Sequence, residues 1–227
     1  TDCISPVGTT GESPTLSHDE HEQVIGIVCE QAAGRVQVMA GTGSNSTTEA
    51  IRLTQFAESV GADGALLVAP YYNKPTQEGF YQHYRAISEA VALPIVLYNI
   101  PAQSGFDISP DLYRKLIAVE NIDYIKDSTG DLIRIQQLLG IGGNVLAGAD
   151  PLAPWALLAG CPGWIWGAAN VMPQVAIVAE RHPRVQLIVD HMGIPRFGKD
   201  AEGFSNLPQL LALARFPNVA VKATGAP

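Results

Sequence analysis

The chain has 227 residues, 47% of them hydrophobic and 16% charged, and a net charge of -8. That length and apolar content support one large packed domain or two small ones, and an acidic balance with no basic cluster excludes a nucleic-acid-binding surface. Cys3, Cys29 and Cys161 are too far apart for a metal motif or a disulfide framework, the start carries no signal-peptide pattern, and no apolar run is long enough to cross a bilayer, so a cytoplasmic protein without a membrane partner is expected.

The predicted strands are short apolar runs: Cys3–Val7, Val36–Ala40, Ala65–Ala69, Ile95–Tyr98, Ile122–Lys126, Asn144–Ala147, Trp164–Trp166, Gln186–Val189 and Asn218–Val221. Runs that are apolar at every position belong to parallel sheets covered on both faces, and the longer amphipathic segments between them supply the crossover helices. Ser17 with Glu20, and Ser46 with Glu49, have the spacing of capping boxes. After Ser46 the apolar residues Ala50, Ile51, Leu53, Phe56, Ala57 and Val60 keep the helical period, and Gly61 closes the helix. Ser109 and Pro110 are placed to be an N-cap and a first helical residue.

An open doubly wound sheet and a closed (β/α)8 barrel both fit this alternation. Gly8-Thr9-Thr10-Gly11-Glu12 after the first run is not the dinucleotide fingerprint. Polar or reactive residues stand at most strand ends: Thr9, Thr10, Thr42, Tyr71, Tyr72, Tyr98, Asn99, Lys126 and Asp150. A barrel gathers strand ends into one mouth, so an α/β (β/α)8 TIM barrel is expected. Lys126 ends an apolar run, where burial disfavours its charged form. A neutral amine in a dry pocket attacks ketones to form a Schiff base. The competing view is a strand-end lysine that snorkels to solvent.

Four motifs in order resemble the dihydrodipicolinate synthase / N-acetylneuraminate lyase family of Schiff-base aldolases: Gly8-Thr9-Thr10-Gly11-Glu12, Pro70-Tyr71-Tyr72-Asn73-Lys74-Pro75, Tyr98-Asn99-Ile100-Pro101 and Ile125-Lys126-Asp127. The resemblance covers about residues 1–172. It implies a lyase acting on pyruvate or a related 2-keto acid without a cofactor or metal, in a homo-oligomer. Lys126 is then the imine-forming nucleophile and Tyr98 the general acid/base. Thr9 and Tyr72 match the proton relay, with Tyr72 reaching a neighbouring subunit. Thr10 matches the carboxylate site, and Ile165 a position whose backbone faces the keto acid. Gln103 stands where the synthases carry an arginine for the second substrate, and a neutral amide supplies no bidentate charged clamp. The second substrate is left open.

The tail reads differently. Its His182-Pro183 … Asp190-His191-Met192-Gly193-Ile194-Pro195 and Pro217-Asn218-Val219-Ala220-Val221-Lys222 resemble strands of the amidohydrolase-related family. A hybrid is therefore expected, with residues 1–173 aldolase-like and residues 174–227 amidohydrolase-like, together forming one domain. The second function this allows is a hydrolase, and a third is a hybrid without efficient activity. His191 lacks the partners that catalytic zinc needs, and His18, His21, His83 and His182 are expected on mostly solvated helix faces. The aldolase-like part supplies the family's second to eighth strands. Gln186–Val189 is expected to fill the vacant first slot, between Trp164–Trp166 and Cys3–Val7, leaving Asn218–Val221 surplus.

Overall fold

A computed structural model describes residues 3–9, 13–166, 180–181, 183, 187–189 and 213–221. Strands and helices alternate: β1 (Cys3–Ile4), α1 (His18–Ala32), β2 (Gln37–Gly41), α2 (Thr47–Ser59), β3 (Gly64–Val68), α3 (Gln77–Ser88) and β4 (Ile95–Asn99). There follow α4 (Pro101–Ser104), α5 (Pro110–Leu116), β5 (Ile122–Asp127), α6 (Leu132–Ile141), β6 (Asn144–Ala147), α7 (Ala153–Leu158), β7 (Gly163–Trp166), β8 (Leu187–Val189) and β9 (Val219–Val221). Among the described residues, nine strands form one sheet in chain order, each pairing parallel with the next. That order follows when every crossover has the same hand and moves the chain one strand along. β9 in turn comes into contact with β1, so the sheet curls until its two edges meet.

The two-residue period divides the core. Every residue of β3 and β4 is buried. Ala65, Leu67, Ile95 and Leu97 face the helices in one cluster, while Leu66, Val68, Val96 and Tyr98 join Met39 and Ile165 in a second cluster inside the curl. Against the outer face α3 sets Phe80, Tyr84 and Ile87 at helical spacing, and Phe80 stacks on Phe106 with ring centroids 3.4 Å apart. Burying each such side chain stabilises the fold by roughly 2–3 kcal/mol.

The helix starts follow the expected chemistry. Glu20 N–H donates to Ser17 Oγ (3.3 Å) and Ser17 N–H donates to the Glu20 carboxylate (2.8 Å), a complete capping box. At Ser46 only half the box forms, because the Glu49 carboxylate turns instead to the Ser44 hydroxyl and the His18 ring. Ser109 caps α5 with Pro110 in its first turn. The first strand is shorter than expected. Val7 adopts φ +43°, and the chain bends over the end of β2, where Gly41 N–H donates to the Pro6 carbonyl at 2.9 Å. A Cβ on Gly41 would lie 2.3 Å from the Val7 carbonyl oxygen, so only glycine admits this crossing.

Two expectations are corrected. β8 does pair with β7 at Trp164–Trp166, but it does not stand in the slot beside Cys3–Ile4. Its other edge is taken by β9, and β9 is the strand that meets β1. An unpaired strand edge is a liability, and β9 covers the edge of β8. Asn218–Val221 is therefore part of the sheet rather than surplus. The second correction concerns the histidines: His21 is 5% and His83 6% exposed, because their faces of α1 and α3 look toward β2 and α2. His21 Nε2 lies 2.8 Å from the Gly41 carbonyl, and His83 Nδ1 lies 2.9 Å from Thr47 Oγ1. His182 and His191 lie outside the described residues.

Burial with no compensating charge holds His83 down at about 4, and burial lowers His21 in the same direction. A base whose folded-state value is depressed contributes full stability above its unfolded value near 6.5. That stability is lost as pH falls from there toward 4. Between pH 7 and pH 5 we expect about 2 kcal/mol of the urea-unfolding free energy to disappear through His83. His83→Gln should flatten this dependence, and a dependence identical to the parent's would show that His83 is not its source.

Candidate active site

The candidate site lies at the C-terminal ends of β4 and β5. The strands are in register, with Tyr98 beside Lys126 and Asn99 beside Asp127. Side chains on a strand alternate between faces, so neighbours in register point the same way. Tyr98 joins the inner cluster, and Lys126 Nζ lies 4.1 Å from its ring centroid, over the face of the phenol. Lys126 is 3% and Tyr98 4% exposed. The lysine does not snorkel: its amino group is buried and lies against the face of the phenol ring. Gly148, just after β6, makes room for its stem. A Cβ there would sit 2.9 Å from Lys126 Cε and 2.1 Å from Ser128 Oγ.

The other residues singled out in the sequence are distributed unevenly. Ile165 is buried in the inner cluster beside Tyr98. Thr9 is partly buried just beyond β1. Gln103 is exposed on α4. Tyr72 projects into solvent, 88% exposed, so within this chain it is not brought to Lys126. Its loop is held at the root by Tyr71 N–H donating to Asn45 Oδ1 at 2.7 Å. Thr10 lies outside the described residues.

The sequence reasoning missed a polar cluster on the opposite face of the same two strands. Asn99 Nδ2 donates to Asp127 Oδ2 and to Asp107 Oδ1, both at 2.9 Å, and its Oδ1 accepts from Ile108 N–H at 3.0 Å. Arg134, from α6, donates through Nε to Asp127 Oδ2 and through Nη1 to Asp107 Oδ2, both at 2.9 Å, and through Nη2 to the Ile108 carbonyl. Thr129 N–H closes the ring on Asp127 Oδ1 at 3.1 Å. Asn99, Asp127 and Arg134 are 0%, 1% and 8% exposed. The available signal was alternation itself: the polar residues following Tyr98 and Lys126 had to face the helices.

A cavity of about 550 Å³ opens at the other end of the sheet, lined among others by Gln37, Met39, Asp63, Tyr124 and Asn144. Neither Lys126 nor Tyr98 lines it, and it holds no comparable reactive pair, so the strands' C-terminal end is the better site. Among the described residues no three His, Cys, Asp or Glu side chains converge where a metal could bind.

Residues 1–179 match the family model described as the Dihydrodipicolinate synthetase family, a few residues further than the motifs had marked. The chain is 51% identical over 177 residues to the 4-hydroxy-tetrahydrodipicolinate synthase of Geotalea daltonii, covering 77% of this chain and 61% of that protein. It is 49% identical over 178 residues to the synthase of Bradyrhizobium diazoefficiens, covering 77% and 60%. Among solved structures, dihydrodipicolinate synthase from Aquifex aeolicus superposes with a TM-score of 0.76 at 46% identity, over 80% of this chain and 64% of that one. The chloride-inhibited enzyme of Acinetobacter baumannii complexed with pyruvate gives a TM-score of 0.73 at 48% identity, over 80% and 65%. The chain thus spans about three fifths of the length of the curated relatives it matches. With the match running through the strands that carry Tyr98 and Lys126, the chain belongs to the dihydrodipicolinate synthetase family.

Proposed function

We propose that this protein is a Schiff-base lyase acting on pyruvate or a related 2-keto acid, in the manner of dihydrodipicolinate synthase. One observation carries it: a lysine 3% exposed, at the C-terminal end of a buried strand, with its Nζ 4.1 Å from the ring centroid of a buried tyrosine. Support comes from relatives named 4-hydroxy-tetrahydrodipicolinate synthase and from a similar enzyme solved with pyruvate. The amine of Lys126 adds to the keto carbon, forming the C–N bond. The former carbonyl oxygen takes up protons through Tyr98 and leaves as water, giving an iminium that withdraws electrons from the neighbouring carbon. The protein's own residues suffice, and no cofactor or metal is invoked. Thr9 relays the proton, Thr10 holds the keto-acid carboxylate, and the Ile165 backbone borders the acid. Tyr72 completes the relay of a second copy, which accounts for a tyrosine left 88% exposed. The exposed Ile133, Trp155 and Leu158 also favour a homo-oligomer. Gln103 brings no charge to the mouth, so an aldol cleavage or addition remains as open as dihydrodipicolinate synthesis itself. A cytoplasmic setting suits this chemistry.

The family match runs to residue 179, past the expected join at 173, so a hybrid origin is kept only for the tail beyond it, resting on the amidohydrolase-like motifs alone. The hydrolase alternative has no geometric support, since His191 lies outside the described residues.

Incubation with pyruvate and borohydride should leave a stable adduct, located on Lys126 by mass spectrometry. It should vanish in Lys126→Ala and persist in Lys74→Ala and Lys222→Ala. Trapping that survives in Lys126→Ala would end the mechanism, and ester turnover without any adduct would favour the hydrolase. Tyr98→Phe is expected to slow turnover by roughly a hundredfold or more with the fold intact. Activity within a factor of about three of the parent would reduce Tyr98 to packing.

Gly148→Ala should lower stability by about 1–3 kcal/mol and suppress trapping, because its methyl collides with the lysine stem. Gly140→Ala is the control: a Cβ there meets nothing within 4 Å, and on a helix it should be neutral or stabilising. Equal melting shifts for the two variants would contradict the crowding at Gly148.

A further inference from the structure

We infer that the cavity at the N-terminal end of the sheet is a second binding site, separate from Lys126, and that it takes a small organic amine, a cationic head on an apolar body. The inference does not depend on the Schiff-base function proposed above.

The cavity follows from strand number. Eight strands close around an interior just wide enough for side chains to fill, and each added strand widens it. Among the described residues nine strands curl together here, with β9 against β1. The side chains at the N-terminal end do not make up the difference. Inward positions on a strand recur every second residue. Leu66 and Ile165 belong to the inner cluster, so Gly64 and Gly163, two residues before them, also face inward and have no side chain to offer. The space left is about 550 Å³, within the range of small-molecule pockets. Crowding does not impose glycine at position 64. A Cβ on Gly64 would meet only the Pro94 carbonyl oxygen, at 3.4 Å, an ordinary contact.

Wall and rim differ in character. Met39, Val96, Leu146 and Ile165 make an apolar wall, with the half-buried Tyr124 among them. Val96 and Tyr124 sit opposite one another in the ladder, one inward step, or about 7 Å, below Tyr98 and Lys126. The cavity therefore lies beneath the Lys126–Tyr98 pair without including either residue. Asp63 and Asp123 stand exposed at the rim, beside Gln37 and Asn144. Val38 N–H donates to Asp63 Oδ2 at 2.8 Å, which fixes that carboxylate, and Asn144 Nδ2 donates to the Asp123 carbonyl at 3.2 Å. Among the described residues that line the cavity none is lysine, arginine or histidine. An apolar body gains by leaving water. A cationic head is drawn to the two carboxylates, while an anion is repelled by them and by the net charge of -8. Cys3, a free cysteine, also borders the cavity and can report on its occupancy.

Binding of phenethylamine, phenethyl alcohol and hydrocinnamate to the whole chain is measured by calorimetry. Iodoacetamide labelling of Cys3 is followed alongside by mass spectrometry, with Cys29 as the internal reference. The amine should bind at least about threefold more tightly than the alcohol, and the carboxylate most weakly. The amine should slow labelling of Cys3 and leave Cys29 unchanged. Asp63→Asn combined with Asp123→Asn should weaken the amine by roughly three- to tenfold and leave the alcohol unaffected. Gly64→Leu, which fills the space, should abolish binding of both while its melting curve stays cooperative. If Gly64→Leu does not fold, Gln37→Trp at the exposed mouth should block binding in its place. No amine binding, a carboxylate that binds as tightly as the amine, binding that survives the filled cavity, or binding without protection of Cys3 would each overturn the inference. Amine binding with Cys3 protected supports the site whether or not pyruvate is trapped on Lys126.

Discussion

The register between β4 and β5 is the constraint on which the rest of the site depends. With Tyr98 opposite Lys126 and Asn99 opposite Asp127, one step along the ladder separates the Lys126–Tyr98 pair facing inward from a hydrogen-bonded pair facing the helices. A slip of one residue would exchange the two faces, placing the lysine among helix side chains and the carboxylate inside the curl. Arg134 makes that exchange expensive. Its guanidinium is bonded to Asp127, Asp107 and the Ile108 carbonyl, and removing Arg134 leaves the buried Asp127 charge uncompensated. Such losses run to several kcal/mol, whereas a solvent-exposed pair such as Arg114 with Asp111 contributes little.

The same economy of faces organises the whole sheet. β3 and β4 carry apolar residues on both sides, because one side meets helices and the other meets neighbouring strands across the curl. Where the inside must admit something other than packing, glycine appears: Gly41 under the Val7 carbonyl and Gly148 under the lysine stem. Both are close approaches of other atoms to the backbone rather than turns, which is why neither stood out as punctuation in the sequence.

The tail shows how an additive sheet accommodates extra chain. A parallel sheet accepts another strand at its edge without rearranging those already present. β8 and β9 extend the order set by β1 to β7, and β9 arrives against β1. An expectation framed around eight strands assigned the slot to Gln186–Val189. The rule that decided the matter is local: each new strand covers the edge left by its predecessor.

Much was determined by the sequence itself. Apolar runs located every strand to within a few residues, because a strand buried on both faces has no polar alternative. Ser17 and Ser109 announced their helices, because their oxygens satisfy backbone donors within the next turn. Lys126 at the end of an apolar run announced a buried amine. What only the tertiary structure decided depended on residues distant in the chain. Asn99, Asp107, Asp127 and Arg134 come from four separate stretches and become one cluster only once β4, β5 and α6 are packed. His21 and His83 lie on helix faces whose burial depends on what stands opposite, so their period alone could not tell water from α2 or β2. Glu49 left its capping box because Ser44 and His18 offered it closer partners. The place of β9 beside β1 was set by closure of the sheet, which no single segment encodes.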